Sequence, residues 1–174
     1  MNNLNKRVEL LANVAIIVVA VLICVVLVKR YLLSPPAAEE MKTISSGEKV
    51  ALPDVDWQKS RQTLLVVLSQ GCHYCAESVP FYQRLTKEAS ARNDIQVIAI
   101  LPQSPGEGHK YLDELGVPIK DVRQAELSSI PVRGTPTLIL VDNKGVVTSS
   151  WVGKLPSDKE GEVLSKLQCD TCGS

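Results

Sequence analysis

The sequence predicts an α/β domain in which a mixed β-sheet is flanked by helices on both faces, preceded by one N-terminal transmembrane helix. Three observations support this class: a 19-residue uncharged run near the N-terminus, short continuous apolar runs, and helical stretches that alternate with them. The 19 Lys and Arg residues balance 19 Asp and Glu residues. No basic excess therefore indicates binding to nucleic acid.

The uncharged run extends from Leu10 to Val28. As a helix it would be about 28 Å long, which is enough to cross the hydrocarbon core of a bilayer. A cleavable signal peptide would usually have a shorter apolar region and an A-x-A-like site, and a lipoprotein signal would place a small residue before Cys24. A helix from a soluble core would be amphipathic. An uncleaved anchor over residues 10–30, after a tail of residues 1–9, is therefore favoured.

The orientation of this anchor has to be inferred from its flanking charges and from the length of its N-terminal tail. Lys6 and Arg7 precede the run and Lys29 and Arg30 follow it, so the positive-inside rule gives nearly a tie. A short N-terminal tail most simply stays in the cytoplasm. The predicted location is the cell membrane, as a single-pass protein whose C-terminal domain lies on the extracytoplasmic side, where disulfides persist.

The remainder divides into a polar, proline-bearing linker over residues 31–48, a folded domain over residues 49–168 and a tail over residues 169–174. Continuous apolar runs predict buried strands, and turn residues before the last run predict a hairpin; these strands are Leu64–Leu68, Ile95–Leu101, Thr137–Val141 and Val146–Val152.

Helices are predicted between these strands and after the hairpin. The first contains Val79, Tyr82, Leu85 and Ala89 at helical spacing, the second is Gly106–Leu115, and the third reaches Leu167 from a cap at Ser157 or Asp158. The order β-α-β-α, hairpin, α predicts parallel pairing in the first half and antiparallel pairing in the second.

The sequence Cys72-His73-Tyr74-Cys75 lies where the first strong strand ends and the first helix begins. Unpaired N–H groups and the helix dipole favour the thiolate of Cys72, and a protonated His73 acts in the same direction. Cys75 follows one turn later, close enough to form a disulfide with Cys72. This setting favours redox chemistry over a structural disulfide or half of a zinc site.

Several motifs together resemble the thioredoxin superfamily, and in particular its redoxin and TlpA/ResA-like membrane-anchored members. They are Gly71 to Cys75, Pro80, Arg133 to Thr137, Gly145, and Trp151 to Gly153. The likeness covers roughly residues 47–168. It implies a cis peptide between Thr135 and Pro136 that faces the disulfide, pairing of the Thr135 backbone with an incoming substrate strand, and a kink at Pro80.

The chain departs from that family at three places. Val66 stands where thioredoxins carry a buried acid, Gly71 replaces the usual aromatic residue, and the dipeptide His73-Tyr74 is neither Gly-Pro nor Pro-His. Because dithiol proteins of this kind span about 150 mV in potential, the sequence predicts the type of reaction but not its direction.

A second C-x-x-C is formed by Cys169 and Cys172. The neighbouring Asp170 disfavours the thiolate, so this pair should be the poorer nucleophile. Three interpretations stay open: a local tail disulfide, a mobile secondary redox pair that exchanges electrons with Cys72 and Cys75, and a four-thiolate metal site that uses both pairs. Cys24 is interpreted as a small apolar residue of the anchor, and His109 as a solvated loop or helix residue.

The leading hypothesis is a membrane-anchored thiol–disulfide oxidoreductase that acts on the thiols and disulfides of exported proteins. Cys72 is then the nucleophile, Cys75 the resolving thiol, His73 and Tyr74 the tuning residues, and Thr135-Pro136 the substrate rest. No cofactor or metal is expected, since the cysteine pair itself carries the two electrons. A membrane-embedded electron donor or acceptor is a further expected partner. The resemblance also implies work in cytochrome c maturation or general disulfide handling.

Two alternatives belong to other classes. A thiol-dependent peroxidase of the peroxiredoxin type would use Ser69 before Cys72, but Leu65 stands where its proline belongs, and Arg123 or Arg133 would have to supply the missing charge. A non-enzymatic metal-delivery module would hold copper or zinc with thiolates, and only the cysteine pairs support it.

Overall fold

The structure, a computed structural model, describes residues 16–23, 44–52, 55–130 and 132–168. The chain divides into two compact units, residues 1–40 and 41–174. Residues 16–23 of the first unit are helical with exposed side chains, and the rest of the predicted anchor lies outside the described residues. Among the residues described, no helix has the length and apolar character needed to span a bilayer.

Within the described part of the second unit, five strands form one mixed sheet. They are β1 (Gln62–Val67), β2 (Ile95–Leu101), β3 (Asp121–Gln124), β4 (Thr137–Asp142) and β5 (Val147–Val152), in the spatial order β3-β2-β1-β4-β5. β1 and β3 pair with β2 in parallel, whereas β4 pairs with β1 and β5 antiparallel. The predicted parallel half and antiparallel hairpin are confirmed, and β3 is a strand that the sequence does not predict.

The helices of this unit are α1 (His73–Glu77), α2 (Val79–Ser90), α3 (Pro105–Glu114) and α4 (Ser157–Gln168), with a 3-10 helix at Trp57–Lys59. Pro80 lies in the first turn of α2, where its missing N–H would have no helical partner. The chain therefore breaks between α1 and α2 at Ser78, which agrees with the interruption expected near Pro80.

The two faces of the sheet are covered differently. Side chains of β1 alternate between two buried clusters: Leu64 and Val66 join helical residues such as Leu85 of α2, Leu112 of α3 and Val163 of α4. Leu65 and Val67 join a second cluster that contains Ile44, Val50, Ile130 and Val132 from segments outside the helices. In the described residues the longer helices thus pack on one face, not on both faces as the sequence predicts.

The missed strand explains this difference. From β1 to β2 and from β2 to β3 the chain steps in the same direction across the sheet. Since such crossovers are right-handed, α2 and α3 must lie on the same face. The opposite face is covered partly by residues assigned to the linker: Ile44 is buried, and the Gly47 amide donates a 2.8 Å hydrogen bond to the carbonyl of Val147.

Candidate active site

Cys72 and Cys75 form a disulfide, with their Cα atoms 5.2 Å apart. Cys72 caps the N-terminus of α1, and its Sγ accepts a 3.1 Å hydrogen bond from the backbone N–H of Cys75. Cys72 is half-buried, whereas Cys75 is completely buried against the helical face of the sheet. One sulfur is therefore accessible to another molecule and the other is shielded.

The loop before β4 lies against the accessible sulfur. The Sγ of Cys72 is 3.4 Å from the carbonyl oxygen of Thr135, and the Thr135–Pro136 peptide bond is cis, as the resemblance implies. Two hydrogen bonds hold the loop: the Thr137 hydroxyl donates to the Gly134 carbonyl at 2.7 Å, and the Gly153 amide donates to the Pro136 carbonyl at 2.7 Å. The structure thus brings together Cys72 and Thr135, which lie 63 positions apart in the sequence.

His73 and Tyr74 project from the exposed first turn of α1. The Nε2 of His73 lies 3.1 Å from Glu77 Oε1, and the Lys154 ammonium lies 2.9 Å from Glu77 Oε2. The hydrogen bond from Lys154 is the main cause that lowers the pKa of the Glu77 carboxyl, so this group is ionised at neutral pH. Glu77 and Lys154 therefore belong to the surroundings of the disulfide, and the sequence analysis missed both.

The environment of Cys75 is apolar. Val66, at the position of the family's buried acid, is completely buried in β1, and none of the described buried residues is a carboxylate. Buried hydroxyl groups lie on α2 and just before it: Ser78 donates to the Tyr74 carbonyl at 2.7 Å, and burial raises the pKa of Tyr82. Any thiolate at Cys75 would therefore form in a poorly solvated position.

Other residues singled out in the sequence lie elsewhere. Arg123 belongs to β3 and binds Asp121 at 2.6 Å, whereas Arg133 is exposed two residues before Thr135. His109 is a half-buried residue of α3. Cys24, Cys169 and Cys172 lie outside the described residues, and among the residues described no cluster of His, Cys, Asp and Glu could hold a metal ion.

Comparison with known proteins gives structural neighbours only: no family model and no curated protein matches the chain. A candidate thiol:disulfide interchange protein, DsbE from Chlorobium tepidum, is 27% identical with a TM-score of 0.54, over 72% of this chain and 99% of that one.

Two further solved structures share the fold at lower identity. A thiol-disulfide isomerase from Corynebacterium glutamicum is 22% identical with a TM-score of 0.52, over 74% of this chain and 95% of that one. A candidate thioredoxin from Neisseria meningitidis is 20% identical with a TM-score of 0.55, over 73% of this chain and 93% of that one. These two neighbours show the fold alone. Taken with the sheet order and the Cys72–Cys75 disulfide, the 27% identical interchange protein indicates that the chain is a thioredoxin-like thiol–disulfide oxidoreductase.

Proposed function

We propose that this oxidoreductase is anchored in the cell membrane, faces the extracytoplasmic side, and exchanges disulfides with exported proteins through Cys72. The observation that carries the assignment of roles is the contrast between the two sulfurs: Cys72 is half-buried beside Thr135, and Cys75 is completely buried. An attacking thiol has to be accessible, whereas a resolving thiol needs only to reach its neighbour.

The reaction follows from this arrangement. The thiolate of reduced Cys72 attacks one sulfur of a substrate disulfide and releases the other as a thiolate. The thiolate of Cys75 then attacks the Sγ of Cys72, which releases the substrate as a dithiol and restores the Cys72–Cys75 disulfide. Two electrons pass to the substrate, and the reverse sequence oxidises a substrate dithiol. The N–H of Cys75, which points at the Cys72 Sγ, stabilises the thiolate that starts the reaction.

The surface around Cys72 fits an extended polypeptide. In the part of the chain that is described, no backbone hydrogen bond occupies the amide or the carbonyl of Thr135. Within residues 44–168, the described large apolar side chains that are exposed are Tyr74, beside Cys72, and Val152, which precedes the Gly153 bound to Pro136. A substrate strand could therefore pair with Thr135 and cover these two side chains.

The membrane anchor is supported by the apolar run from Leu10 to Val28 and by the exposed apolar side chains of its helical residues 16–23. Cytochrome c maturation and general disulfide handling are the tasks that the family resemblance implies, with a membrane-embedded protein as electron donor or acceptor. The thiols of exported proteins are the substrate class that follows from this location.

Trapping with Cys75→Ser tests the proposal. Without a resolving thiol the mixed disulfide at Cys72 persists, so acid-quenched intact cells should yield adducts with exported proteins in the membrane fraction. The double variant Cys72→Ser, Cys75→Ser is the matched control and should yield none. The proposal fails if the single variant gives no adducts, or gives adducts with cytoplasmic proteins alone.

A further inference from the structure

Among the described strands, β3 lies at one edge of the sheet and pairs with β2 alone. In a parallel pair, alternate residues direct both the N–H and the carbonyl towards the neighbouring strand, and the residues between them direct theirs away from it. The amide of Ala125 binds the carbonyl of Leu101 in β2 at 3.0 Å. By this alternation Val122 and Gln124 direct their backbone groups away from β2, and within the described part of the chain no hydrogen bond occupies those groups.

A groove runs along this open edge. It is a cavity of about 620 Å³, lined by Pro105 and His109 of α3, by Leu52 and Val55, and by residues of β3. The helix α3 lies on the face of the sheet where Val122 packs, whereas Leu52 and Val55 pack against the cluster on the opposite face. The edge of the sheet is therefore exposed between two walls, and a strand added to β3 would lie between them.

His109 shows that the wall formed by α3 extends beyond the edge of the sheet. The carbonyl of Lys120 belongs to the same alternation as Val122 and points away from β2. Since the Nε2 of His109 lies 3.0 Å from this carbonyl oxygen, its imidazole ring lies outside β3. A second copy of the chain would bring the same walls to its own β3, and the two sets of walls would collide before the edges could pair. A single extended segment fits the groove better.

The charges at the amino end of β3 favour an acidic segment. Asp121 is bound by Arg123 at 2.6 Å and by the side-chain amide of Gln96 at 3.1 Å. Lys120 is exposed, and its ammonium group forms no ion pair with a described residue. The hydrogen bonds of His109 to two carbonyls raise its pKa and favour its cationic form. An acidic side chain on a strand beside β3 is therefore attracted to this end of the groove.

The other end of the groove lies at the level of the end of the sheet that carries the disulfide. The strand register places Val67, the last residue of β1, beside Ile100, and Ile100 beside Arg123. Because neighbouring strands lie about 4.8 Å apart, a strand added to β3 is about 14 Å from β1. Cys72 follows Val67 by five positions at this carboxyl end. A few extended residues can therefore connect a segment in the groove to a sulfur at Cys72.

We propose that the groove along Val122 and Gln124 is a docking site for an extended, acidic segment of the protein whose disulfide reacts at Cys72. The segment adds to the sheet as a further strand, and its backbone exchanges hydrogen bonds with Val122 and Gln124. One of its apolar side chains packs on Leu52, and an acidic one lies near Lys120. The inference rests on the proposed role of Cys72 and adds a second contact, which raises the effective concentration of the partner at the disulfide.

Gln124 offers a matched pair of variants. Gln124→Pro removes the outward N–H without removing a bond to β2, and edge strands tolerate proline at such positions. Gln124→Ala keeps the N–H and removes the same side chain, including its hydrogen bond to the carbonyl of Pro102. Both are made in the full-length chain in detergent, with Cys24→Ala, Cys169→Ser and Cys172→Ser so that the active-site pair supplies the only thiols.

The probe is a synthetic peptide with the segment Glu-Val-Thr-Val-Glu, joined by a six-residue Gly-Ser linker to a cysteine that carries thionitrobenzoate as a mixed disulfide. Two isomers place the cysteine before or after the segment, because a strand can add in either direction. The thiolate of Cys72 attacks the peptide sulfur and releases thionitrobenzoate, whose absorbance gives the rate. For one isomer we expect a rate at least tenfold above that of the same peptide with its three central amides N-methylated.

Gln124→Pro should remove this tenfold advantage and Gln124→Ala should keep it, while both react with Ellman's reagent at the rate of the parent. Lys120→Gln should slow the reaction of the acidic peptide two- to fivefold and leave a peptide with Gln in place of both Glu residues unaffected. Equal rates for the plain and the N-methylated peptides, or an advantage that survives Gln124→Pro, would overturn the docking site and leave the role of Cys72 intact. A reaction with Ellman's reagent no faster than that of Cys72→Ser would instead refute the role of Cys72, and the inference with it.

Discussion

Glu77 is the residue through which the charges around the disulfide are connected. Its carboxylate binds His73 at 3.1 Å on one side and Lys154 at 2.9 Å on the other. Because the Lys154 hydrogen bond lowers the pKa of Glu77, the site carries a fixed negative charge at neutral pH. This charge opposes ionisation of Cys72, and Lys154 offsets part of it.

Replacing Glu77 by Gln should therefore make reduced Cys72 more reactive. We expect its alkylation by iodoacetamide at pH 6 to be about two- to fivefold faster, which is the effect expected when one partly screened negative charge near the thiolate is removed. Lys154→Met should slow the reaction by a similar factor. Lys166→Met removes a positive charge in the last turn of α4 and should leave the rate unchanged. Equal rates in all three variants would contradict the influence of Glu77 and Lys154 on Cys72. Mass spectrometry of the Cys72 peptide gives the rates.

At the scale of the elements, the sequence predicts the central strands well and the edge poorly. β1 is buried at every position and β4 at all but its last, which produces a continuous apolar run that is readable without tertiary information. β3 contributes one buried side chain, Val122, among Asp121, Arg123 and Gln124. A strand at the edge needs little apolar character, so composition alone does not reveal it.

The same distinction applies to the site. Cys72 and Cys75 are three positions apart in sequence, and the segment containing Thr135 and Pro136 forms a recognisable motif, so the sequence predicts these residues. The ion pair of Glu77 with Lys154 joins residues 77 positions apart and exists only because the chain after β5 folds back over α1. Its readable signal is the spacing of four between His73 and Glu77, which brings the two side chains together on one helix face.

The packing of α3 on β3 gives a prediction at this scale. Ala usually stabilises a helix relative to Gly by about 0.5–1 kcal/mol. At Gly108, however, an added Cβ would lie 2.7 Å from Val122 Cγ1 and 3.4 Å from Leu101 Cδ1. We expect Gly108→Ala to lower the free energy of unfolding by about 1–3 kcal/mol in urea titrations.

Gly161 provides the matched control, since a Cβ there meets no atom within 4 Å and the residue lies inside α4. Gly161→Ala should raise the free energy of unfolding by about 0.5–1 kcal/mol. In a Val122→Ala background, Gly108→Ala should lower the free energy of unfolding by less than it does in the wild-type background. Equal effects of the two glycine substitutions would contradict the tight approach of α3 to β3.

At the scale of the whole molecule, two titratable side chains, Asp94 and His109, connect separate elements through hydrogen bonds. Asp94 accepts hydrogen bonds from Arg61 and Arg92, whose guanidinium groups also bind the end of α4. His109 joins α3 to the chain before β3, with Nδ1 2.7 Å from the Pro105 carbonyl and Nε2 3.0 Å from the Lys120 carbonyl. Two acceptors require both ring nitrogens to carry a proton, so the charged imidazolium is the form that fits.

The titration of Asp94 and His109 predicts a pH range of maximal stability for the oxidised protein. The hydrogen bonds from Arg61 and Arg92 lower the pKa of Asp94 to about 2, so its contribution is complete above an unfolded value of about 3.9 and is lost as the pH falls towards 2. The bonds to Lys120 and Pro105 raise the pKa of His109, and its contribution is complete below an unfolded value of about 6.5 and is lost at higher pH. The unfolding free energy should thus be highest between about pH 4 and 6.5.

Urea titrations across this range distinguish the contributions of Asp94 and His109 to stability. Asp94→Asn should flatten the decline on the acid side and leave the neutral side unchanged, because it removes only the carboxylate that titrates there. His109→Gln should flatten the decline above about pH 6.5, and Asp113 and Asp121, whose charges also raise the pKa of His109, stay in place in this variant. If His109→Gln loses stability with rising pH as steeply as the wild type, the imidazolium does not join α3 to β3, and another group must titrate on the neutral side.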